Sequence, residues 1–272
     1  MGASPVIARA ALHLWEEPPI SGSRGSGAIF FSGCSLGCIY CQNREISRGR
    51  GVEVSVERLS EIMLELAAAG AHNINLVTPT HFAPSAACAV KTARARGLSI
   101  PIVYNTGSYD SVDTVKALRD TVDIFLPDFK YVREESAERY SAAPGYKEIA
   151  LSAIREMRKI AGEPVFDSDG IMKRGVIVRI LLLPGHVAEA KLALREIYRE
   201  FSDGVYISLM NQYTPMPGMP PPLNRRVTRE EYRDLVGYAE KIGVKNAFIQ
   251  EFGTAEESYI PKFDNTGVLP PK

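Results

Sequence analysis

Three cysteines, Cys34, Cys38 and Cys41, stand close together in the spacing C-x3-C-x2-C, with an aromatic residue, Tyr40, before the last of them. Three thiolates at this spacing can hold three irons of a four-iron cluster, which leaves the fourth iron without a protein ligand. An electron-transfer ferredoxin would normally supply a fourth cysteine. The open iron is therefore a chemical site, because another molecule has to bind it.

Two other interpretations of the cysteine triplet are a structural zinc site and a disulfide framework. A structural zinc site wants four ligands, usually in two spaced pairs, and no second Cys or His pair follows in the sequence. A disulfide framework suits a short secreted chain, whereas this chain has 272 residues, four cysteines and no signal-peptide pattern. The fourth cysteine, Cys88, lies in a segment that resembles an apolar helix face, and we expect it to act as a small hydrophobic residue.

The elements that would position the triplet alternate along the chain, which predicts an α/β fold with a parallel sheet. We expect a partial (β/α)6-type parallel barrel over residues 28–252, an N-terminal extension over 1–27 that packs on the barrel, and a C-terminal tail over 253–272. The expected strands are Ala28–Phe31, Ile74–Val77, Ile100–Tyr104, Ile124–Leu126, Val176–Leu183, Val205–Met210 and Ala247–Gln250. The expected helices are Val56–Ala69, with Ser55 as N-cap, and Pro84–Arg96, Val112–Leu118, Lys147–Ile160, Ala188–Phe201 and Arg229–Ile242.

Polar residues follow most of these strands, where a parallel α/β barrel places its active site. The first strand leads into the cysteines. The residues after the later strands are Thr78 to His81, Asn105 to Ser108, Asp128 and Lys130, Pro184 to His186, Asn211 to Tyr213, and Gln250 with Glu251.

The cysteine triplet resembles the cluster-binding loop of the radical S-adenosylmethionine (SAM) superfamily. The surrounding sequence is similar to the branch that contains pyruvate formate-lyase activating enzyme, from Arg9 to Pro18, through Ile29 to Gly33, to Leu183 to His186 and beyond. This resemblance implies a [4Fe-4S] cluster whose open iron binds SAM, and reductive cleavage of SAM to a 5′-deoxyadenosyl radical that abstracts a hydrogen atom. It further implies an electron donor such as a flavodoxin or ferredoxin, and a glycyl radical enzyme or a peptide as substrate.

The resemblance also implies a set of SAM contacts. Arg179, inside an apolar run, matches an arginine that contacts SAM, and an internal ion pair with Asp128 is the alternative. Asp128 and Lys130 match an acid-x-lysine element that helps to hold SAM, and a capping acid beside a solvated lysine is the alternative. Asn105 belongs to a third-strand element in which Tyr104 replaces an aspartate of the branch that helps to hold a cation.

Further cofactor contacts are expected from Tyr40, Thr78, Thr80 and Tyr213. Thr78-Pro79-Thr80 stands where many superfamily members have a glycine-rich turn for the SAM amine, and Pro79 should keep Thr78 extended. The alternative is that both threonines only cap the following helix. Tyr213 stands where the branch has a histidine near adenine, and a core or rim tyrosine is the alternative.

The histidines divide into two groups. His13, beside Trp15 and Glu16, is expected to be structural, while His81 and His186 are expected nearer the barrel mouth as substrate contacts. The proline-rich loop Thr214–Val227 is long enough to be a lid.

Composition and charge argue against a nucleic-acid-binding protein and against a membrane-spanning protein. With 45% hydrophobic and 24% charged residues and no net charge, the chain lacks the basic footprint of a nucleic-acid-binding protein. Its longest apolar run is too short to cross a bilayer. We expect a cytosolic radical SAM enzyme without a nucleic-acid or membrane partner. Alternatives are another radical SAM reaction on a peptide or small molecule, and a non-catalytic iron–sulfur or zinc-binding module.

Overall fold

The computed structural model of the chain describes residues 4–251 and 261–270. Its ten strands form one sheet in the order β10-β9-β8-β6-β5-β4-β2-β1-β3, with β7 paired to β8. The strands are β1 (Val6–His13), β2 (Ser26–Phe31), β3 (Val52–Glu53), β4 (Ile74–Val77), β5 (Ile102–Thr106), β6 (Ile124–Pro127), β7 (Val165–Phe166), β8 (Met172–Leu181), β9 (Tyr206–Met210) and β10 (Ala247–Ile249).

The middle of this sheet is parallel, from β2 through β4, β5, β6, β8 and β9 to β10. These are the strands that the apolar runs predict. In the described part of the chain the sheet ends at β3 and β10 without closing. The expected partial (β/α)6-type parallel barrel is confirmed.

Most of the helices connect the parallel strands and cover the outer face of the sheet. In the described residues they are α1 (Pro18–Ser21), α2 (Arg44–Ser47), α3 (Val56–Ala68), α4 (Ala83–Ala95), α5 (Val112–Lys116), α6 (Glu134–Ser141), α7 (Tyr146–Ala161), α8 (Val187–Phe201) and α9 (Arg229–Lys241). Ser55 caps α3 as expected, because its side chain accepts the Arg58 N–H. Three short helices, α1, α2 and α6, are not among those that the periodicity predicts.

The N-terminal residues belong to the sheet itself. β1 runs antiparallel to β2, with Ile7 opposite Phe31 and His13 opposite Ser26. The chain then turns through α1, whose Ile20 is fully buried. β1 therefore lies beside the short edge strand β3, and the segment after β1, with α1, forms a plug at one end of the barrel.

Apolar side chains pack on both faces of the sheet. The larger group lies between the sheet and the helices. A smaller group, with Ile20, Val103 and Ile177, lies on the inner face. Because side chains alternate along a strand, Asn105 and Arg179 lie on that same inner face, two residues further along their strands. The barrel interior thus has an apolar floor and a polar layer above it.

The described part of the C-terminal tail, residues 261–270, packs against β1. The Ala10 N–H donates to the Thr266 carbonyl at 2.8 Å, and the Asn265 N–H donates to the Ala8 carbonyl at 3.0 Å. Val268 is fully buried. The rest of the expected tail, residues 253–260 and 271–272, lies outside the described residues.

Among the described residues, no helix has both the length and the apolar character that crossing a membrane requires.

Candidate functional site

The cysteine loop, residues 33–43, starts two residues after β2 ends and is held at both sides by backbone hydrogen bonds. The Gly33 N–H donates to the Ile46 carbonyl at 2.8 Å. The Gly37 N–H donates to the Ser141 carbonyl at 2.9 Å, at the end of α6. The loop is therefore fixed between α2 and the last turn of α6.

All three loop cysteines line one cavity of about 260 Å3. Burial raises the pKa of the Cys34 thiol to about 11 and raises that of Cys41 as well, so both thiols resist ionisation without a metal. Metal binding needs the thiolates and would supply the missing positive charge. Cys88 is exposed on α4, rather than on its apolar face as we expected, and it does not line the cavity.

The placement of the three cysteines limits how they could hold a metal. Within residues 4–251 and 261–270, no three His, Cys, Asp or Glu side chains are arranged to hold one metal ion. In a four-iron cluster each thiolate binds a different iron, so the thiols need to surround a cavity rather than to meet at one point. The three cysteines line one shared cavity, as such a cluster would require.

A charged network, defined here as Glu16, Asp128, Lys130 and Arg179, lines the same cavity. Asp128 binds both cations: Oδ1 accepts from Arg179 Nε at 2.7 Å, and Oδ2 accepts from Lys130 Nζ at 2.7 Å. Arg179 Nη1 lies 3.3 Å from Glu16 Oε2. The alternative of an ion pair between Arg179 and Asp128 is therefore present, and Lys130 is buried rather than solvated.

Two amide side chains complete this network. Asn105 Oδ1 accepts from Arg179 Nη2 at 2.7 Å, and Asn75 Nδ2 donates to Glu16 Oε1 at 3.0 Å. Each guanidinium nitrogen of Arg179 thus has an oxygen partner. Because a buried charge is costly unless it is paired, these contacts explain how an arginine can stand inside an apolar strand.

The pKa shifts follow from burial and from neighbouring charge. Burial would lower the pKa of Lys130 and Arg179, but the neighbouring negative groups, of which Asp128 contributes most, together outweigh burial and raise the pKa of both. Burial would raise the pKa of Asp128, but Arg179 and Lys130 lower it below its ordinary value. Burial raises the pKa of Glu16 and that of Glu17, the latter to about 7. The site therefore holds two cations, Lys130 and Arg179, and one carboxylate, Asp128, that stays ionised. The carboxyl groups of Glu16 and Glu17 are easier to protonate than usual.

The turn after β4 differs from our expectation. Thr78 has a φ of +59°, which is left-handed and not extended. Pro79 disfavours only the right-handed helical region for Thr78, and the Thr78 N–H continues the sheet by donating to the Asn105 carbonyl at 2.8 Å. Thr78 lines the cavity, whereas Thr80 is not among the lining residues and donates to Asp110 Oδ1 at 2.8 Å. Neither threonine caps α4, whose N-cap is Phe82.

Two tyrosines form an aromatic wall beside the cysteines. The Tyr40 and Tyr213 rings meet edge to face with their centroids 6.3 Å apart, and both line the cavity. Tyr213 is fully buried, and its hydroxyl donates to the Leu223 carbonyl at 2.6 Å. This bond ties the ring to the loop Thr214–Val227, although no residue of that loop lines the cavity.

The histidines differ in their position relative to the cavity. His81 is exposed, and neither it nor His186 lines the cavity. His186 instead contacts the Tyr140 hydroxyl at 3.0 Å and the Pro184 carbonyl at 2.7 Å. His13 does line the cavity, and burial and the charge of Arg9 lower its pKa. The reason is that the strand before β2 carries His13 along the inner wall, whereas His81 sits on the outside of a 3-10 turn.

The structure brings most of the predicted site residues to one cavity and leaves Thr80 outside its lining. Sequence reasoning did not place Glu16 and Gln42 there, whereas Gln212 is among the polar residues expected after the sixth strand. Gln42 Nε2 donates to the Gln212 carbonyl at 3.0 Å and ties the cysteine loop to the end of β9. The predicted residues that line the cavity are Cys34, Cys38, Tyr40, Cys41, Thr78, Asn105, Asp128, Lys130, Arg179 and Tyr213.

Known proteins resemble this chain in sequence and in fold. The family model described as the radical SAM superfamily matches residues 28–197. A curated relative, uncharacterized protein MJ0674 of Methanocaldococcus jannaschii, is 28% identical over 242 residues, which cover 85% of this chain and 65% of the relative. The chain thus spans a little under two thirds of the length of that relative.

Solved structures share the fold at low sequence identity. HydG, a maturase of the [FeFe]-hydrogenase, has a TM-score of 0.58 at 15% identity, over 92% of this chain and 57% of HydG. Streptococcus suis SuiB bound to its precursor peptide SuiA has a TM-score of 0.53 at 10% identity, over 80% of this chain and 47% of SuiB. A domain of pyruvate-formate lyase-activating enzyme from Bacteroides vulgatus matches 64% of this chain and 94% of that domain, at 16% identity and a TM-score of 0.46.

Proposed function

The chain belongs to the radical SAM superfamily, and on that premise we propose that it cleaves SAM reductively at a [4Fe-4S] cluster to abstract a hydrogen atom from a peptide or protein. The superfamily that the cysteine triplet predicts is thereby confirmed. The proposed cluster type rests on the site geometry, and the proposed substrate class rests on similarity to other proteins.

One observation carries the proposal: the three loop cysteines and the charged network line the same cavity. When bound, the cluster and SAM would supply one electron and a 5′-deoxyadenosyl radical, which takes a hydrogen atom from the substrate. Cys34, Cys38 and Cys41 would ligate three irons. The fourth iron would have no protein ligand and would be available to SAM in the cavity that the charged network also lines.

The charged network suits the charges of SAM. Glu16 and Asp128 present carboxylate oxygens to an amine and a sulfonium, and Lys130 and Arg179 present N–H donors to a carboxylate. Arg179 already donates to Glu16, Asp128 and Asn105, so a ligand carboxylate would have to share or replace one of these partners. Glu16 is the natural one to give way, because it has the longest contact and a raised pKa. Thr78 and the Tyr40–Tyr213 wall lie on the same cavity for the amine and adenine.

The proposed substrate is a peptide or a protein. SuiB, which shares the fold, is bound to a precursor peptide in its structure. A narrower form of the proposal is activation of a glycyl radical enzyme, supported by the sequence resemblance to activating enzymes. The electron would come from a flavodoxin or ferredoxin in the cytosol, where a reducing environment protects an exposed cluster.

Metal content tests the cluster. Protein purified and reconstituted without oxygen should contain about four irons and four sulfides per chain, and give a paramagnetic signal on reduction. Replacing Cys34, Cys38 or Cys41 by Ala should remove the cluster or make it labile. Cys88→Ala is the matched control, since this thiol is exposed and outside the cavity lining. Tight stoichiometric zinc without iron would overturn the proposal.

A hydrogen-transfer assay tests the substrate. Incubation with SAM, a reductant and a candidate glycyl radical enzyme should produce a stable protein radical. Deuterium at the abstracted position should appear in 5′-deoxyadenosine. If 5′-deoxyadenosine forms and deuterated peptide and protein substrates never transfer their label, the reaction stands and the substrate class is wrong.

A further inference from the structure

A chain of hydroxyl groups starts at Tyr40 in the cysteine loop, runs through Tyr131 and Ser141, and ends at Cys38. The Tyr40 hydroxyl lies 2.6 Å from the Tyr131 hydroxyl, which lies 2.7 Å from Ser141 Oγ. Ser141 Oγ in turn lies 2.9 Å from Cys38 Sγ. We call Tyr40, Tyr131 and Ser141 the hydroxyl chain.

The hydroxyl chain is shielded from water. Ser141 is fully buried, Tyr131 is 1% exposed and Tyr40 is 6% exposed. Hydrogen bonds are electrostatically stronger in such surroundings than in water, and successive bonds polarise one another. A donor at the end of this chain therefore acts strongly on its acceptor.

The number of protons available fixes the direction of the hydrogen bonds along the hydroxyl chain. A thiolate can only accept, and each hydroxyl has one proton to donate. If Cys38 is a thiolate, Ser141 must donate to it, Tyr131 to Ser141 and Tyr40 to Tyr131. Every proton of the chain then points toward the cysteine, which is the order that stabilises negative charge on Sγ.

The backbone holds Ser141 in place for this contact. Its carbonyl accepts the Gly37 N–H at 2.9 Å, and the Tyr140 carbonyl accepts the Ile39 N–H at 2.9 Å, so α6 is bonded to the residues on either side of Cys38. Cys34 differs, because its sulfur accepts from the Leu36 N–H within the loop at 3.4 Å. For Cys38 the donor comes from an element 103 residues away.

We infer that Ser141, supported by Tyr131 and Tyr40, donates a hydrogen bond to the Cys38 thiolate and raises the reduction potential of the cluster. The inference rests on the cluster proposed above. Reduction adds negative charge that spreads onto the cysteine sulfurs, so a donor stabilises the reduced state more than the oxidised state. Hydrogen bonds to the sulfurs are among the factors that set cluster potentials.

A redox titration of the reconstituted protein tests the inference. Wild type and Ser141→Ala are poised at a series of potentials, and the reduced cluster is counted by its paramagnetic signal. At the wild-type midpoint, Ser141→Ala should show a ratio of reduced to oxidised cluster lower on the order of tenfold, a shift of about 59 mV to more negative potential for one electron. Tyr131→Phe should shift the potential in the same direction by less. Ser136→Ala, on the same helix and outside the chain, should match wild type.

Each outcome has a distinct meaning. An unchanged potential in Ser141→Ala at equal cluster content overturns the inference. If Ser141→Ala assembles no cluster, Tyr131→Phe decides, and a wild-type potential there overturns the inference as well. Failure of the wild type to hold a cluster would instead contradict the proposed function.

Discussion

At the scale of single residues, Arg179 is held by Asp128, Glu16 and Asn105, and its side chain is 13% exposed. Removing one partner of a buried ion pair leaves the others charged and unpaired. We therefore expect Arg179→Ala to lower the free energy of unfolding of the metal-free protein by about 3–5 kcal/mol at neutral pH. Denaturant unfolding measures this loss.

A matched control for Arg179 is Arg155, which pairs with Glu200 on the surface with side chains 50% and 30% exposed. Arg155→Ala should cost about 0–1 kcal/mol, because water screens the pair and solvates what is left. Equal losses in the two variants would show that the network contributes little to folding. Arg179 would then be retained for binding alone.

Glu17 gives stability a pH dependence. The residue is 7% exposed, one carboxyl oxygen has no hydrogen-bond partner among the described residues, and burial raises the pKa of the carboxyl from 4.5 to about 7. Between these values the folded chain keeps a proton that the unfolded chain releases. The contribution of Glu17 to stability is therefore full below pH 4.5 and is lost as pH rises to about 7.

The variant Glu17→Gln removes this titration. Its free energy of unfolding should rise relative to wild type between pH 5 and 7, by at most about 1.4 kcal/mol per pH unit, and the difference should level off above pH 7. Denaturant unfolding over this pH range provides the measurement. Glu138→Gln, at an exposed position of α6, is the control. A difference between Glu17→Gln and wild type that stays constant with pH would contradict the assignment.

The sequence indicated some of these contacts and missed others for a physical reason. A charge inside the apolar strand that carries Arg179 signals that a partner must exist, and Asp128 follows a neighbouring strand, so that pair was predictable. Glu16 is 163 residues from Arg179 and precedes the first parallel strand. No feature of the sequence around Glu16 indicates that the plug places the Glu16 carboxyl inside the barrel.

At the scale of elements, the tail at residues 261–270 fastens β1. Gly267 has a φ of +71°, and a Cβ built there would lie 2.1 Å from the Ala10 carbonyl oxygen. Gly267→Ala should therefore separate the tail from β1, at about 1–3 kcal/mol beyond the cost of the left-handed backbone. Hydrogen exchange of the Ala10 and Asn265 amides, which bond across this contact, should become faster.

The control for Gly267 is Gly170, which has a similar φ of +77° and no heavy atom within 4 Å of an added Cβ. Gly170→Ala should show only the backbone cost of about 1–2 kcal/mol, with slow exchange at Ala10 and Asn265. If the hydrogen exchange of these amides is unchanged in Gly267→Ala, the tail adjusts to the added Cβ without separating from β1.

Regular elements were predictable where their pattern is long enough. The apolar runs found every parallel strand, and Ser55 marked the start of α3. β3 and β7 have two residues each, too few to show an alternation. Burial alternates only weakly along β1, because the barrel and the tail both cover its residues. The strand therefore lacks the solvent-exposed face that gives an antiparallel strand its alternating pattern.

At the scale of the whole molecule, the fold brings distant segments to one end of an open barrel. Parallel strands align their carboxyl ends, so the cysteines after β2 meet Thr78, Asn105, Asp128 and Arg179 from four other strands. This convergence follows from topology and was predictable. The position of the N-terminal plug was not, because it depends on the space that seven unclosed strands leave between them.

Formation of 5′-deoxyadenosine tests the central claim most directly. Anaerobically reconstituted protein with SAM and a strong reductant should yield 5′-deoxyadenosine and methionine in equal amounts. Cys38→Ala should yield neither, and Cys88→Ala should match wild type. Cluster-loaded wild type that binds SAM and leaves it intact under reduction, even with candidate substrates present, would contradict the account.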